Sequence, residues 1–210
     1  DGSEASACGN GTRCVAYFLS KENKKDIINV YTSSGNLKSK ILDKKIVQTQ
    51  TGVPKTKWNE IPINKNIDTV NLNIKIYDKN NKEFIGGTAI NVGNPHIIFC
   101  VRNLEDFDIK KVGPVIEKHN LFPEKCNVTI AQVINKSLIK VKVWERGAGN
   151  TKACGTAACA TAVAGKINGV TGSQTEIAFP LGNLSILIDK ENIIHMTGPV
   201  SEIEEIKIKL

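Results

Sequence analysis

An α+β fold is predicted by three features of the sequence: short stretches that alternate between apolar and polar residues, two helix-like segments, and one Cys-Gly pattern at the head of each segment. The later copy, Ala153-Cys154-Gly155-Thr156-Ala157, follows a glycine-loaded turn and leads into a run of small residues able to pack closely on a sheet. The earlier copy, Ala7-Cys8-Gly9-Asn10-Gly11, stands 146 residues before it, about one domain length. This self-similarity predicts two related units, each presenting one cysteine at a helix start. There the first N–H groups lack partners and the macrodipole is positive, which favours a thiolate and an anionic ligand.

In chain order, residues 1–7 read as a polar loop and 8–21 as a helix with Cys14, Val15, Phe18 and Leu19 inward. Strands are expected over 27–32, 36–42 and 46–51, and Thr51 to Pro54 marks the boundary to the second unit. The alternation of Val70, Leu72, Ile74 and Ile76 predicts a half-buried strand over 69–77, with 84–92 continuing the sheet as its hairpin partner. Asn94, Pro95 and His96 form a loop before an apolar strand over 97–101. A helix is expected over 106–119 despite Gly113 and Pro114, then strands over 127–133 and 138–144. The Cys154 helix runs to about Gly165, and strands over 177–179, 184–188, 193–197 and 203–210 complete the chain.

With 40% hydrophobic and 23% charged residues, the 210-residue chain has an ordinary globular composition, and its apolar runs are too short to span a membrane. The net charge of +7 comes from scattered lysines with few aromatics between them, which argues for a solvated surface over nucleic-acid binding. The six cysteines include no C-x-x-C pair and no nearby histidine, so neither a metal site nor a dense disulfide scaffold is expected. Cys14 and Cys159 read as core thiols, and Cys100 and Cys126 have no case for chemistry.

Four linked motifs resemble the diaminopimelate epimerase family, in that family's order and over essentially the whole chain. They are Asp1 to Glu4 running into Cys8-Gly9-Asn10-Gly11-Thr12-Arg13-Cys14; Val92-Gly93-Asn94-Pro95-His96; Glu145-Arg146-Gly147-Ala148-Gly149; and Ala153-Cys154-Gly155-Thr156. The resemblance implies two pseudo-symmetric domains, each a mostly antiparallel sheet or barrel around a central helix, with the active site in the cleft between them. The N-terminal domain is expected over 1–52, joined by a returning strand over 198–210, and the C-terminal domain over 53–197. The family's N-terminal stretch is absent, so the natural protein is expected to be longer and a chain beginning at Asp1 to be weakly active or inactive. Asn150 stands where the family usually has Glu, and Lys152 replaces a more apolar residue.

The implied reaction is interconversion of LL- and meso-diaminopimelate in lysine and peptidoglycan-precursor synthesis, by a cytoplasmic enzyme with no cofactor and no metal. Inverting a stereocentre by proton transfer needs a base on one face of the carbon and an acid on the other, roles that fall to Cys8 and Cys154. Without pyridoxal phosphate the charge developing on the carboxylate must be held by preorganised donors, here the N–H groups of Gly9, Asn10, Gly155 and Thr156. Carrying the family's residues over gives Asn94, Asn127, Glu145 and Arg146 for the rest of the substrate, with His96 tuning the site. The expected partner is the small-molecule substrate, diaminopimelate, with no nucleic acid and no membrane, and a homodimer stays open as the assembly. Two other readings stand beside it: a proline or hydroxyproline racemase of the same fold, and a non-catalytic binding protein. The racemases usually carry His where Asn10 stands and Ser-Pro where Lys152 and Ala153 stand, which argues for the epimerase.

Overall fold

The computed structural model describes residues 9–32, 35–202 and 204. Cys8, the expected loop over 1–7 and, apart from Glu204, the expected strand over 203–210 lie outside the described residues. The chain opens with helix α1 (Gly9–Asn23), followed by the antiparallel meander β1 (Ile27–Thr32), β2 (Gly35–Asp43) and β3 (Ile46–Gly52). The face that α1 buries differs from the expected one. Arg13, Ala16, Tyr17 and Ser20, at i, i+3, i+4 and i+7, turn inward, while Val15 and Phe18 stay 46% and 41% exposed. Cys14 is likewise exposed and is not a core thiol. Hydropathy alone rejects Arg13 as an inward residue; the structure accepts it because its guanidinium donates to Asn10 and Gly9.

After Gly52, β4 (Ile74–Tyr77) and β5 (Glu83–Gly86) pair as a separate two-stranded sheet. The strand expected over 84–92 is therefore split, and its second half, β6 (Thr88–Asn91), joins the main sheet. The break falls at Gly87, whose φ of +110° only glycine adopts readily and where a β-carbon would press to 2.8 Å from Ile97. Next come β7 (Pro95–Val101), a 3-10 turn at Leu104–Asp106, and α2 (Ile109–Glu117). The Asp108 side chain caps α2 by accepting from the Lys110 N–H at 3.0 Å, so the expected helix over 106–119 starts later than hydropathy indicates. Strands β8 (Asn127–Asn135), β9 (Leu138–Glu145) and β10 (Gly149–Thr151) lead to α3 (Gly155–Ile167), and β11 (Gln174–Phe179), β12 (Gly182–Ile188) and β13 (Ile194–Pro199) close the described chain.

The main sheet runs β1-β2-β3-β13-β12-β11-β9-β8-β7-β6, with β10 on β9. Its pairs are antiparallel except β7 with β8 and β9 with β11. It curls around α3, which touches β6, β7, β8, β11, β12 and β13. Such enclosure is possible because α3 is built of alanine, glycine and other small residues, every one from Ala157 to Gly165 being buried. A second core lies around α2, where Ile97, Phe99, Val128 and Ile130 pack, and a smaller third one joins Ala16, Tyr17, Ile28, Val47 and Val200 beneath α1. Strand β3 pairs with β13, placing Thr49 opposite Met196, and so brings the α1 unit against the α3 unit. No helix among the described residues is long and apolar enough to cross a membrane.

One glycine outside the cleft ties the fold to the site. A β-carbon on Gly113 of α2 would collide with the ring of Trp144, whose Nε1 donates to Glu117 Oε2 at 2.7 Å. This accounts for a helix interior that keeps a poor helix former. Gly113→Ala is expected to destabilise by about 1–3 kcal/mol through overpacking. Thermal unfolding should show it as a fall of about 2–4 °C per kcal/mol; an unchanged or raised melting temperature would show that Trp144 can move aside.

Candidate active site

The heads of α1 and α3 meet. A β-carbon on Gly155 would lie 3.3 Å from Gly9 Cα and 3.0 Å from Met196 Sδ, and one on Gly9 would come within 2.6 Å of Met196 Cε. Only glycine at both positions lets the helix ends approach so closely, with the fully buried Met196 of β13 wedged against them. Both helix starts open onto one cavity of about 450 Å³, lined also by Thr51, Lys55, Asn91 and Gly93. Two positive dipole ends and Lys55, the single charged lining residue among the described residues, make this an anion-receiving space.

Cys154 is the N-cap of α3 and is 5% exposed. Its Sγ lies 3.4 Å from the Thr156 hydroxyl. The expected thiolate is corrected here: burial first, then the Glu145 carboxylate, push its pKa up to about 12, outweighing the Thr156 hydroxyl and the Ala157 N–H, which favour the anion. At neutral pH Cys154 is thus a thiol, able to give up its proton to a stronger base. Because the native thiol holds a proton that the unfolded chain loses near pH 9.0, its contribution to stability is full below that value and is lost as pH rises toward 12. Alkylation of Cys154 by iodoacetamide should therefore keep accelerating above pH 10 without a plateau, and Glu145→Gln should shift the profile to lower pH. A plateau near pH 9, or a profile indifferent to Glu145→Gln, would contradict this environment.

From Cys154 a chain of contacts runs outward. The Thr156 hydroxyl accepts from Asn94 Nδ2 at 3.5 Å, and Asn94 Oδ1 lies 2.9 Å from His96 Nε2. As the amide oxygen can only accept, His96 must carry its proton on Nε2. Burial, reinforced by the Arg146 charge, lowers the His96 pKa to about 3, so the ring stays neutral and orients Asn94 as a fixed donor.

Asn127 is buried and braces the loop that holds Arg146. Its Nδ2 donates to Pro95 O at 3.0 Å and its Oδ1 accepts from Arg146 N at 2.9 Å. Arg146 Nη1 donates to Glu124 O at 2.8 Å. The turn between β9 and β10 is further held by Glu117, whose Oε1 accepts from Gly147 N at 3.1 Å. The structure thus gathers Gly9, Gly155 and Thr156 at the cavity, with Asn10 beside Gly9, Cys154 and Asn94 joined through Thr156, and Glu145 acting on Cys154. Cys8, the other expected catalytic residue, lies outside the described residues.

Reading the motifs did not single out Lys55, Arg13, Met196 or Glu117. Lys55 has no local signal and reaches the cavity through a bridge to Asn91. Met196 could have been suspected only from the paired glycines it fills against. Cys159 faces the cavity below Thr51, 3.8 Å from its hydroxyl, and burial pushes its pKa to about 11, in keeping with an inert thiol. Among the described residues, no group of three or more His, Cys, Asp or Glu side chains could hold a metal ion.

Solved structures with this architecture define the class as the fold shared by amino-acid epimerases and racemases and by phenazine-biosynthesis proteins. A hydroxyproline epimerase from Agrobacterium vitis matches with a TM-score of 0.63 at 12% identity, covering 92% of this chain and 64% of that one. A PhzF-family phenazine biosynthesis protein from Bacillus anthracis matches with a TM-score of 0.61 at 16% identity, covering 98% and 78%. Within that class the assignment is narrower. The family model described as diaminopimelate epimerase matches residues 1–57 and 88–203. The chain is 63% identical over 210 residues to the diaminopimelate epimerase of Pelagibacter ubique, covering 100% of this chain and 77% of that protein. It is 38% identical over 203 residues to that of Methylocella silvestris, covering 96% and 70%. The chain belongs to the diaminopimelate epimerase family.

Proposed function

We infer that this protein interconverts LL- and meso-diaminopimelate by proton transfer without pyridoxal phosphate. Beside the family membership, one observation carries the reading: the N-termini of α1 and α3 meet over one cavity, with a protonated thiol, Cys154, at the head of α3. The substrate α-carboxylate takes the helix-end N–H groups of Gly9, Asn10, Gly155 and Thr156. A thiolate at Cys8 removes the α-proton, the C–H electron pair delocalises into the carboxylate, and the Cys154 S–H delivers its proton to the opposite face. No net electron is gained or lost, and the two sulfurs end with their protonation exchanged, ready for the reverse reaction. Donors fixed before the charge develops are worth about 3–4 kcal/mol each. Glu145 faces the Cys154 thiol and holds it protonated, while Asn94, oriented by His96, and Arg146, braced by Asn127, meet the rest of the substrate.

The test is α-hydrogen exchange in deuterium oxide with LL-diaminopimelate and no added cofactor. Loss of the α-hydrogen signal together with formation of the meso isomer is expected. Exchange of hydroxyproline but not diaminopimelate would replace this reading with the racemase one, and exchange of neither would favour a binding protein.

Three further proposals accompany it. The domain division at 52/53, with 198–210 returning to the first domain, is supported by the small core beneath α1, whose members all fall in those two segments. A cytoplasmic location suits the five described cysteines, all free thiols. A homodimer is proposed on the family resemblance alone.

A further inference from the structure

Glu117 is the last residue of α2 and is 6% exposed. It lies one helical turn beyond Gly113, so the two share the face that meets Trp144. Gly113 leaves room for the indole ring, and the Glu117 carboxylate takes its N–H. Oε2 accepts from Trp144 Nε1 at 2.7 Å, while Oε1 accepts from Gly147 N at 3.1 Å. Trp144 and Gly147 stand on either side of Glu145 and Arg146. One side chain therefore grips both ends of the segment that carries these two residues.

Satisfying the backbone does not require this grip. Gly147 is exposed, so water can serve its N–H, and burying a carboxylate costs free energy that two hydrogen bonds must first offset. What water cannot supply is a fixed position. The turn needs one, because Gly147 and Gly149 adopt φ of +77° and +86°, where glycine has wide freedom, and Gly147 and Ala148 have little packing of their own. The Arg146 N–H is taken in the same manner by Asn127 Oδ1 at 2.9 Å. Two successive amides of the turn are thus held by side chains from outside it, one on β8 and one on α2. At the inner end of the same turn Glu145 acts on the Cys154 thiol.

We propose that Glu117 is a positioning residue for the epimerase reaction: by accepting from Trp144 and Gly147 together it fixes the turn so that Glu145 faces Cys154 and Arg146 faces the substrate. The proposal rests on the epimerase reading for the role of Arg146, while the grip on the turn and the placement of Glu145 stand without it. Glutamine keeps the length and shape of the side chain but has one acceptor, so one of the two donors would meet an N–H₂ group. Aspartate keeps both acceptors on a shorter arm.

Glu117→Gln is expected to lower kcat/KM for LL-diaminopimelate roughly 10- to 100-fold, the scale of a displacement of about 1 Å in groups around the reacting molecule. Alkylation of Cys154 by iodoacetamide against pH, followed on its own peptide by mass spectrometry, gives a readout that needs no turnover. The groups acting on this thiol are Glu145, the Thr156 hydroxyl and the Ala157 N–H. A turn that lets Glu145 swing away should move the profile to lower pH, by less than Glu145→Gln does. In the Glu145→Gln background, Glu117→Gln should add no further shift, because the group it positions is gone. Glu117→Asp is read in the same way if the glutamine variant does not fold. A wild-type kcat/KM, an unmoved alkylation profile, or a shift that persists undiminished in the Glu145→Gln background would each overturn the proposal. A shift that vanishes in that background upholds it even if diaminopimelate is not turned over, and that failure would count against the epimerase reading alone.

Discussion

Cys154→Ala is expected to lower epimerisation of LL-diaminopimelate by roughly 10²- to 10⁴-fold, the range carried by one positioned proton donor. The substitution removes a thiol that is buried beside Thr156 and kept protonated by burial and by Glu145. It leaves the helix-end N–H groups that hold the carboxylate, so binding should change far less than turnover. The loss should appear in kcat, with KM within a few-fold of the wild type. Exchange and epimerisation separate in this variant. From the isomer whose α-proton faces Cys8, deuterium can still wash in at one face without inversion, whereas from the other isomer nothing should exchange. Following the α-hydrogen of each isomer in deuterium oxide therefore assigns the face served by Cys154. Epimerisation at the wild-type rate would remove Cys154 from the chemistry, and equal residual exchange from both isomers would contradict a two-face mechanism.

Much of the arrangement around Cys154 is legible in the sequence because local rules and tertiary demands agree there. A cysteine before glycine and a run of alanines is both a helix start and a surface that a sheet can enclose, and α3 is where that pattern places it. The alternating strands over 138–145 and 174–199 are legible for the same reason, since each has one buried face. Agreement fails at α1. Hydropathy turns Val15 and Phe18 inward, but the structure buries Arg13 and Tyr17, because Asn10 one turn back and the Met196 sulfur on β13 accept from the guanidinium. The charge state of Cys154 was also beyond local reading. A helix N-terminus favours a thiolate, yet Glu145, placed nearby only by the fold, and the surrounding burial reverse the sign. Lys55 reaches the cavity because an isolated bridge sets it beside Asn91, a pairing over 36 positions that no periodicity announces.

Gly155→Ala is expected to be nearly as damaging as loss of the thiol, for a geometric reason. The added methyl would lie 3.0 Å from Met196 Sδ and 3.3 Å from Gly9 Cα, tighter than ordinary van der Waals contact on two sides. Met196 has little freedom to yield, being fully buried and in contact with Arg13 Nη1. The heads of α1 and α3 must then part, and the donors that converge on one carboxylate move off it. A misplacement of about 1 Å costs roughly 10²-fold in rate, whereas the overpacking itself should cost about 1–3 kcal/mol of stability. Circular dichroism should show a folded protein with a melting temperature lowered by a few degrees, beside a kcat reduced roughly 100-fold. Adding Met196→Ala relieves the contact with sulfur but leaves the one with the Gly9 backbone. It should therefore restore stability more than rate. A Gly155→Ala enzyme with wild-type kcat would show that the approach of the two helix ends is packing alone.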